Sequence, residues 1–139
     1  MRFWDASAIV PLCLDQPHSP AMRAFLAEDQ AMTVWWGSLI ECWSAFARLR
    51  REGGLPPDEE EAAKSLLAIL QEAWTEIQPS EQVRLQAGRV LRLHPLRPAD
   101  ALQLAAAIVW AGNPPSGEIV ALDSRLLSAA RLEGLSPRQ

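Results

Sequence analysis

Four acidic residues in this chain stand where chemistry can be done: Asp5, Glu41, Asp100 and Asp123. Each is embedded in apolar sequence: Phe3-Trp4-Asp5-Ala6, Leu39-Ile40-Glu41-Cys42, Ala99-Asp100-Ala101-Leu102 and Ala121-Leu122-Asp123. Acids in such settings are expected to be partly buried. A buried carboxylate needs a partner or a change of protonation state, and one shared cation would satisfy all four. An all-oxygen pocket without His or Cys suits a hard divalent ion, Mg2+ or Mn2+. That combination points to phosphodiester chemistry of the nuclease kind.

Each acid also has a structural alternative. Asp5 and Asp123 each precede an expected helix and could be N-caps. Glu41 lies three residues after Ser38, a capping-box spacing. Asp100 follows Pro98 by two, where an acid complements the helix dipole. The readings are compatible, since a cap can still offer an oxygen to a metal. The denser run Asp58-Glu59-Glu60-Glu61 follows no apolar strand and reads as a solvated first turn. His18 and His94 read as loop residues rather than ligands.

The elements that must position these acids can be read from periodicity and punctuation. Residues 2–5, 31–35, 74–77 and 119–122 read as short strands, with 135–136 as a possible fifth strand at an edge. Helices are expected over 7–14, 19–28, 38–52, 57–73, 80–93, 98–110 and 124–133. Gly53-Gly54 stops the third of these, and Gly134 reads as the cap of the last. Short strands separated by helices argue for a parallel sheet covered on both faces. Such sheets bind ligands beyond the carboxyl ends of their strands. If the first and fourth strands are neighbours, Asp5 and Asp123 face each other across that crevice.

Composition sets the frame. The chain has 139 residues, 49% hydrophobic and 22% charged, which is ordinary for one globular domain spanning 1–139. The net charge of −4 gives no basic blanket for nucleic acid, although a local Arg cluster could still hold phosphates. Lys64 is the only Lys. Cys13 and Cys42 have neither a CxxC nor a metal-ligand spacing. With no signal-peptide pattern and no apolar run long enough to span a bilayer, the expectation is a cytoplasmic protein with free thiols.

Four segments, in order, resemble the motifs of PIN-domain ribonucleases, in particular the VapC toxins of bacterial VapBC toxin–antitoxin pairs. They are Phe3-Trp4-Asp5-Ala6-Ser7-Ala8-Ile9-Val10; Ser38-Leu39-Ile40-Glu41 with Ala45 and Arg48; Leu96-Arg97-Pro98-Ala99-Asp100-Ala101-Leu102-Gln103-Leu104; and Ile119-Val120-Ala121-Leu122-Asp123-Ser124-Arg125-Leu126. The resemblance covers nearly the whole chain. It implies a PIN-like three-layer α/β/α sandwich with a short, mostly parallel five-stranded sheet. It implies a Mg2+- or Mn2+-dependent endoribonuclease, with Asp5, Asp100 and Asp123 as metal ligands and Glu41 as a ligand or the group that orients water. Ser7 would hydrogen-bond to a ligand. A cognate VapB-type antitoxin and a homodimer are the implied partners, through the apolar helices over 38–52 and 57–73.

Two departures stand out. Many relatives carry Thr or Ser where this chain has Ala121, and a missing hydroxyl could loosen the last ligand. Trp35-Trp36 stands where smaller residues are common. Core packing is the reading for Trp35, whereas Trp36 could line the mouth of the site and stack on bases. Trp4, Trp43, Trp74 and Trp110 read as core or interface. Two other classes remain open: a catalytically inactive PIN-like binding module in which the acids are only caps, and a receiver-like signalling domain. The second needs a Lys near a late strand end, and Lys64 falls in a helix.

Overall fold

A computed structural model describes residues 1–139. The chain alternates strands and helices: β1 (Arg2–Trp4), α1 (Ala6–Cys13), α2 (Ser19–Glu28), β2 (Met32–Trp35), α3 (Ser38–Arg51), α4 (Pro57–Ala73), β3 (Thr75–Ile77), α5 (Glu81–Leu93), α6 (Pro98–Ala111), β4 (Glu118–Val120), α7 (Ser124–Leu132) and β5 (Ser136–Arg138). The strands form one sheet in the order β3-β2-β1-β4-β5, and all four pairings are parallel. The sheet is therefore wholly parallel.

Side-chain alternation along the strands divides the core in two. Phe3 and Ile119 face an apolar layer built with α5, α6 and α7. Trp4, Val34 and Val120 face a second layer built with α1, α2, α3 and α4. The result is a three-layer α/β/α sandwich. Strands covered on both faces explain why β1, β2 and most of β4 are buried along their length. Helix α6 is buried over most of its surface, with Ala101, Ala105, Ala106 and Ala107 fully enclosed. Small side chains let this helix lie close to the sheet and to α5.

Expected boundaries move where long-range pairing decides them. β4 begins at Glu118 and ends at Val120, two residues short of Leu122. The fifth strand is Ser136–Arg138, not 135–136: Leu135 packs into the core, and Pro137 is tolerated because β5 is an edge. Gly134 has φ +95° just past α7, the left-handed conformation its position demands. The acidic run 58–61 is not wholly solvated. Glu60 is buried and pairs with Lys64 at 3.0 Å and Arg50 at 3.4 Å. Trp43 is 50% exposed and so is not core, whereas Trp4, Trp35 and Trp74 are buried. No helix is long and apolar enough to cross a membrane.

Candidate active site

β1 and β4 are neighbours, paired as Phe3↔Ile119 and Trp4↔Val120. Asp5 follows β1 directly, and its amide donates to the Val120 carbonyl at 3.0 Å. Asp5 and Asp123 therefore both lie beyond the carboxyl ends of adjacent strands. Glu41 comes from the first turn of α3, which follows β2, and Asp100 from the first turn of α6. Four elements thus aim one acid each at the same edge of the sheet.

The caps are real for two of the four. Asp5 caps α1, and its Oδ2 accepts from the Ser7 amide at 2.9 Å and from the Ser7 hydroxyl at 2.5 Å. Asp123 caps α7, with Oδ1 accepting from the Leu126 amide at 2.8 Å. In both cases one carboxylate oxygen takes the cap bonds and the other is left for a different partner. The Ser38–Glu41 capping box does not form. Gly37 is the N-cap of α3, without a side-chain bond, and the Ser38 hydroxyl accepts from Gln103 Nε2 at 2.9 Å instead.

Two polar residues tie the acids in place. Ser7 Oγ also accepts from the Leu122 amide at 2.9 Å, so one hydroxyl links Asp5 to the turn that carries Asp123. Gln103 donates through Nε2 to both Ser38 Oγ and Glu41 Oε2, fixing the orientation of the Glu41 carboxylate. Its own Oε1 is buried without a partner. Gln103 had no role in the sequence reading. Its signal was there: an amide alone in the apolar run 101–111, one helical turn past Asp100. The missing hydroxyl at Ala121 has a simple correlate. The methyl group lies in the core with α6 and α7, and Ser7 supplies the hydroxyl that holds the following turn.

Like charges in a desolvated setting resist ionisation. Burial pushes the Asp5 carboxyl up, opposed by its Ser7 bonds and reinforced by Asp100 and Asp123. Glu41 rises to about 7, chiefly through burial, against the Gln103 bond and with Asp5 and Asp100 adding to the rise. Asp100 also rises, from burial first and then from Asp123; the Arg97 amide and the Arg97 and Arg125 guanidinium groups pull it back. Those two arginines are exposed and flank the acids. A cleft of about 260 Å3 opens beside Ser7 and Glu41, with Arg48 and Gln16 among its walls.

No three His, Cys, Asp or Glu side chains converge tightly enough to cage an ion by themselves. The donor set is nonetheless all oxygen, mutually repulsive and short of positive charge, and the orphaned Gln103 Oε1 adds a neutral oxygen beside it. That chemistry fits a hard cation that keeps part of its water shell, as Mg2+ does. His94 stands apart. Its Nε2 lies 2.7 Å from Glu133 Oε1, at the opposite end of α7 from Asp123. The thiols are inert by burial: Cys13 is pushed up to about 12 and Cys42 also rises.

Known proteins frame this geometry. VapC20 of Mycobacterium tuberculosis, a sarcin–ricin loop cleaving toxin, superposes with a TM-score of 0.70 at 18% identity, over 93% of this chain and 95% of that one. FitAcB of Neisseria gonorrhoeae gives 0.69 at 14% identity, over 100% and 97%. A toxin–antitoxin complex from Klebsiella pneumoniae gives 0.62 at 13% identity, over 92% and 91%. No curated protein matches the chain in sequence. At these identities the solved structures speak for the fold alone. The PIN domain family matches residues 2–132, nearly the whole sequence. The chain therefore belongs to the PIN-domain family.

Proposed function

We propose that this protein is a Mg2+- or Mn2+-dependent endoribonuclease of the VapC kind, the toxin of a toxin–antitoxin pair. The observation that carries the reading is the gathering of Asp5, Glu41, Asp100 and Asp123 from four elements at one sheet edge, three of them driven towards protonation. A protein that gains nothing from such repulsion would be expected to neutralise it with its own cations. Arg97 and Arg125 offset the rise at Asp100 only in part and stay exposed at the rim, placed to meet phosphates.

Asp5, Asp100 and Asp123 would hold the ion, with Glu41 as a further ligand or as the group that orients water. A bound divalent cation would supply charge stabilisation on the phosphate oxygens and activation of water. The chain's own residues do the rest. Burial raises Glu41 to about 7 without an ion; beside a divalent cation its carboxylate form would be favoured and could then accept a proton from an attacking water. Gln103 keeps its Oε2 in place. Ser7 holds the Asp5 and Asp123 turns together. The products would be a 5′-phosphate and a 3′-hydroxyl.

The antitoxin and a second copy of the chain are the proposed partners. Ile40 and Trp43 on α3 and Leu66 and Ile69 on α4 are all exposed, beside a groove of about 540 Å3 between these helices. The toxin neighbour VapC20 and the Klebsiella toxin–antitoxin complex support the reading. A cytoplasmic location goes with it.

One alternative has an observation behind it. Asp5 and Asp123 do cap helices, as a catalytically inactive binding module would require. The receiver-like reading has lost its only Lys, since Lys64 is engaged by Glu60 within α4. The test is cleavage of single-stranded RNA with Mn2+, with Mg2+ and after chelation, followed by identification of the new ends. Metal-dependent cuts carrying 5′-phosphates support the enzyme. RNA left intact under every metal condition supports the inactive module.

A further inference from the structure

A second cleft lies on the same edge of the sheet, next to the acids. Trp35 and Trp36 at the end of β2, Pro79 to Arg84 at the start of α5, and Leu102 of α6 enclose about 420 Å3. Leu102 is two residues from Asp100 and adjacent to Gln103, so the cleft and the acid cluster lie at the same end of α6. The cleft thus lies beyond the carboxyl ends of β2 and β3, where a parallel sheet binds its ligands.

The backbone of Trp36 is anchored although the residue is 45% exposed. Its amide donates to the Ile77 carbonyl at 3.1 Å, which pins the turn to the end of β3. At the next residue, Gly37, an added Cβ would lie 2.5 Å from Nε1 of the buried Trp35 ring. The turn therefore closes only because glycine stands there, and Trp35 blocks it from relaxing. An indole offered to solvent from an anchored turn is a stacking platform whose backbone need not be ordered on binding.

The rest of the lining is selective. Val83, Leu102 and Trp35 give an apolar floor. The Ser80 hydroxyl accepts from the Val83 amide at 3.2 Å and keeps its own proton to donate. Glu81 and Arg84 pair at 2.6 Å with side chains 64% and 80% exposed. So exposed a pair contributes little, and a ligand can open it cheaply. An aromatic face, an openable guanidinium and a carboxylate acceptor match a heteroaromatic ring with N–H donors that is joined to a phosphate. The volume is enough for one nucleoside. Trp36 is the only large apolar side chain of the lining that is exposed, against four on α3 and α4 that suit a protein partner.

We propose that this cleft is a nucleobase subsite. It takes one unpaired base next to the scissile phosphate, stacks it on Trp36, and reads its edge with Ser80, Glu81 and Arg84. The proposal rests on the nuclease reading above for its link to cleavage, but binding can be tested without it.

The test has two arms. In the first, a randomised single-stranded RNA pool is cut in Mn2+ and the cut sites are sequenced, for the parent, Trp36→Ala and Trp36→Phe. Trp36→Ala is expected to lower kcat/KM by about 5- to 150-fold, the loss of one base–aromatic stack, and to flatten the base preference at one position beside the cut. Trp36→Phe should keep most of both. In the second arm, chelator is present and a short single-stranded RNA is titrated while tryptophan fluorescence is followed. The parent should be quenched on binding, and Trp36→Phe should lose that part of the signal. Quenching that depends on Trp36 without any cleavage in the first arm would uphold the subsite and overturn the nuclease reading. Cleavage by Trp36→Ala at the parent rate and with the parent preference would overturn the subsite and leave the nuclease reading intact. A Trp36→Ala variant impaired only in self-association or in binding a protein partner would also overturn it.

Discussion

The two edges of the sheet handle charge in opposite ways. At the amino edge, Arg2 meets Glu118 at 2.6 Å and Glu28 at 2.8 Å, and donates to the Phe25 carbonyl at 2.7 Å. Arg138 joins the same two glutamates at 3.3 and 3.5 Å, and both guanidinium groups lie over the Phe25 ring. Two arginines and two glutamates cancel. At the carboxyl edge, four acids face one another without a buried cation of the protein's own. Glu118, bonded to Arg2, is held below the usual carboxylate range, whereas Glu41 is pushed up to about 7. The same side chain is shifted in opposite directions in one small molecule. The amino edge spends its charges on holding the fold, and the carboxyl edge leaves its charges unmatched for something that arrives from outside.

The largest expected effect comes from removing a charge at the unmatched edge. Asp5→Asn or Asp100→Asn should lower RNA cleavage at least about a thousandfold, several kcal/mol of transition-state stabilisation. The double variant should be no worse than the worse single one, because both act on one ion. A quantitative cleavage assay checks this, and additive losses would break the picture of a shared site. Folding should not suffer, since the change relieves repulsion.

A smaller loss is expected one layer out. Gln103→Met removes the donor to Glu41, and partners of this kind are worth about 10–100-fold in metal affinity or activity. It should also move the pH profile of stability of the chelated protein upwards, because the Gln103 bond is what opposes the rise at Glu41. A profile that stays in place would place Gln103 in packing alone.

The matched edge should respond in stability. Arg2→Ala leaves Glu28 and Glu118 without their main partner, and charged hydrogen bonds of this kind are worth about 1.5–3 kcal/mol. Denaturant unfolding should show that loss, with cleavage per folded molecule unchanged. A catalytic defect in Arg2→Ala would mean that the two edges are not separable.

The smallest effect is a pH dependence of melting without metal. Glu41 has a folded-state value raised from 4.5 to about 7. The stability contributed by its protonated form is complete below about 4.5 and is lost as pH rises through about 7. Asp5 and Asp100 act in the same direction. Glu118, shifted down, acts oppositely: its contribution is present above 4.5 and fades as pH falls below it. The chelated protein should therefore be most stable in mild acid. Glu41→Gln should remove part of the decline towards neutral pH.

Much of this was legible in the sequence because it is local. Asp5 and Asp123 follow short apolar strands and precede helices, and both elements and caps formed as those patterns require. The family motifs supplied the sandwich. What failed depends on residues far apart in the chain. Whether Ser38 caps α3 or receives Gln103 is decided by a partner 65 positions away. Glu60 is buried where α4 meets Arg50 of α3, which an acidic run does not announce. The extent of β4 and β5 follows from their pairing, Glu118↔Ser136 and Val120↔Arg138, and not from their own composition. Arg125 gained a place beside Asp100 only once α6 and α7 were set side by side.

The most direct test of the central claim is the melting temperature of the parent and of Asp123→Asn with and without Mn2+. Asn caps a helix about as well as Asp, so the α7 cap survives the change. An ion that binds only the folded chain adds about 2.7 kcal/mol at 100 times its dissociation constant. For a chain of 139 residues that is a rise on the order of 10 °C. The account predicts this rise in the parent and its collapse in Asp123→Asn, with K+ at equal ionic strength raising neither. An equal rise in both proteins, or the same rise from K+, would contradict it and leave Asp123 as a cap alone.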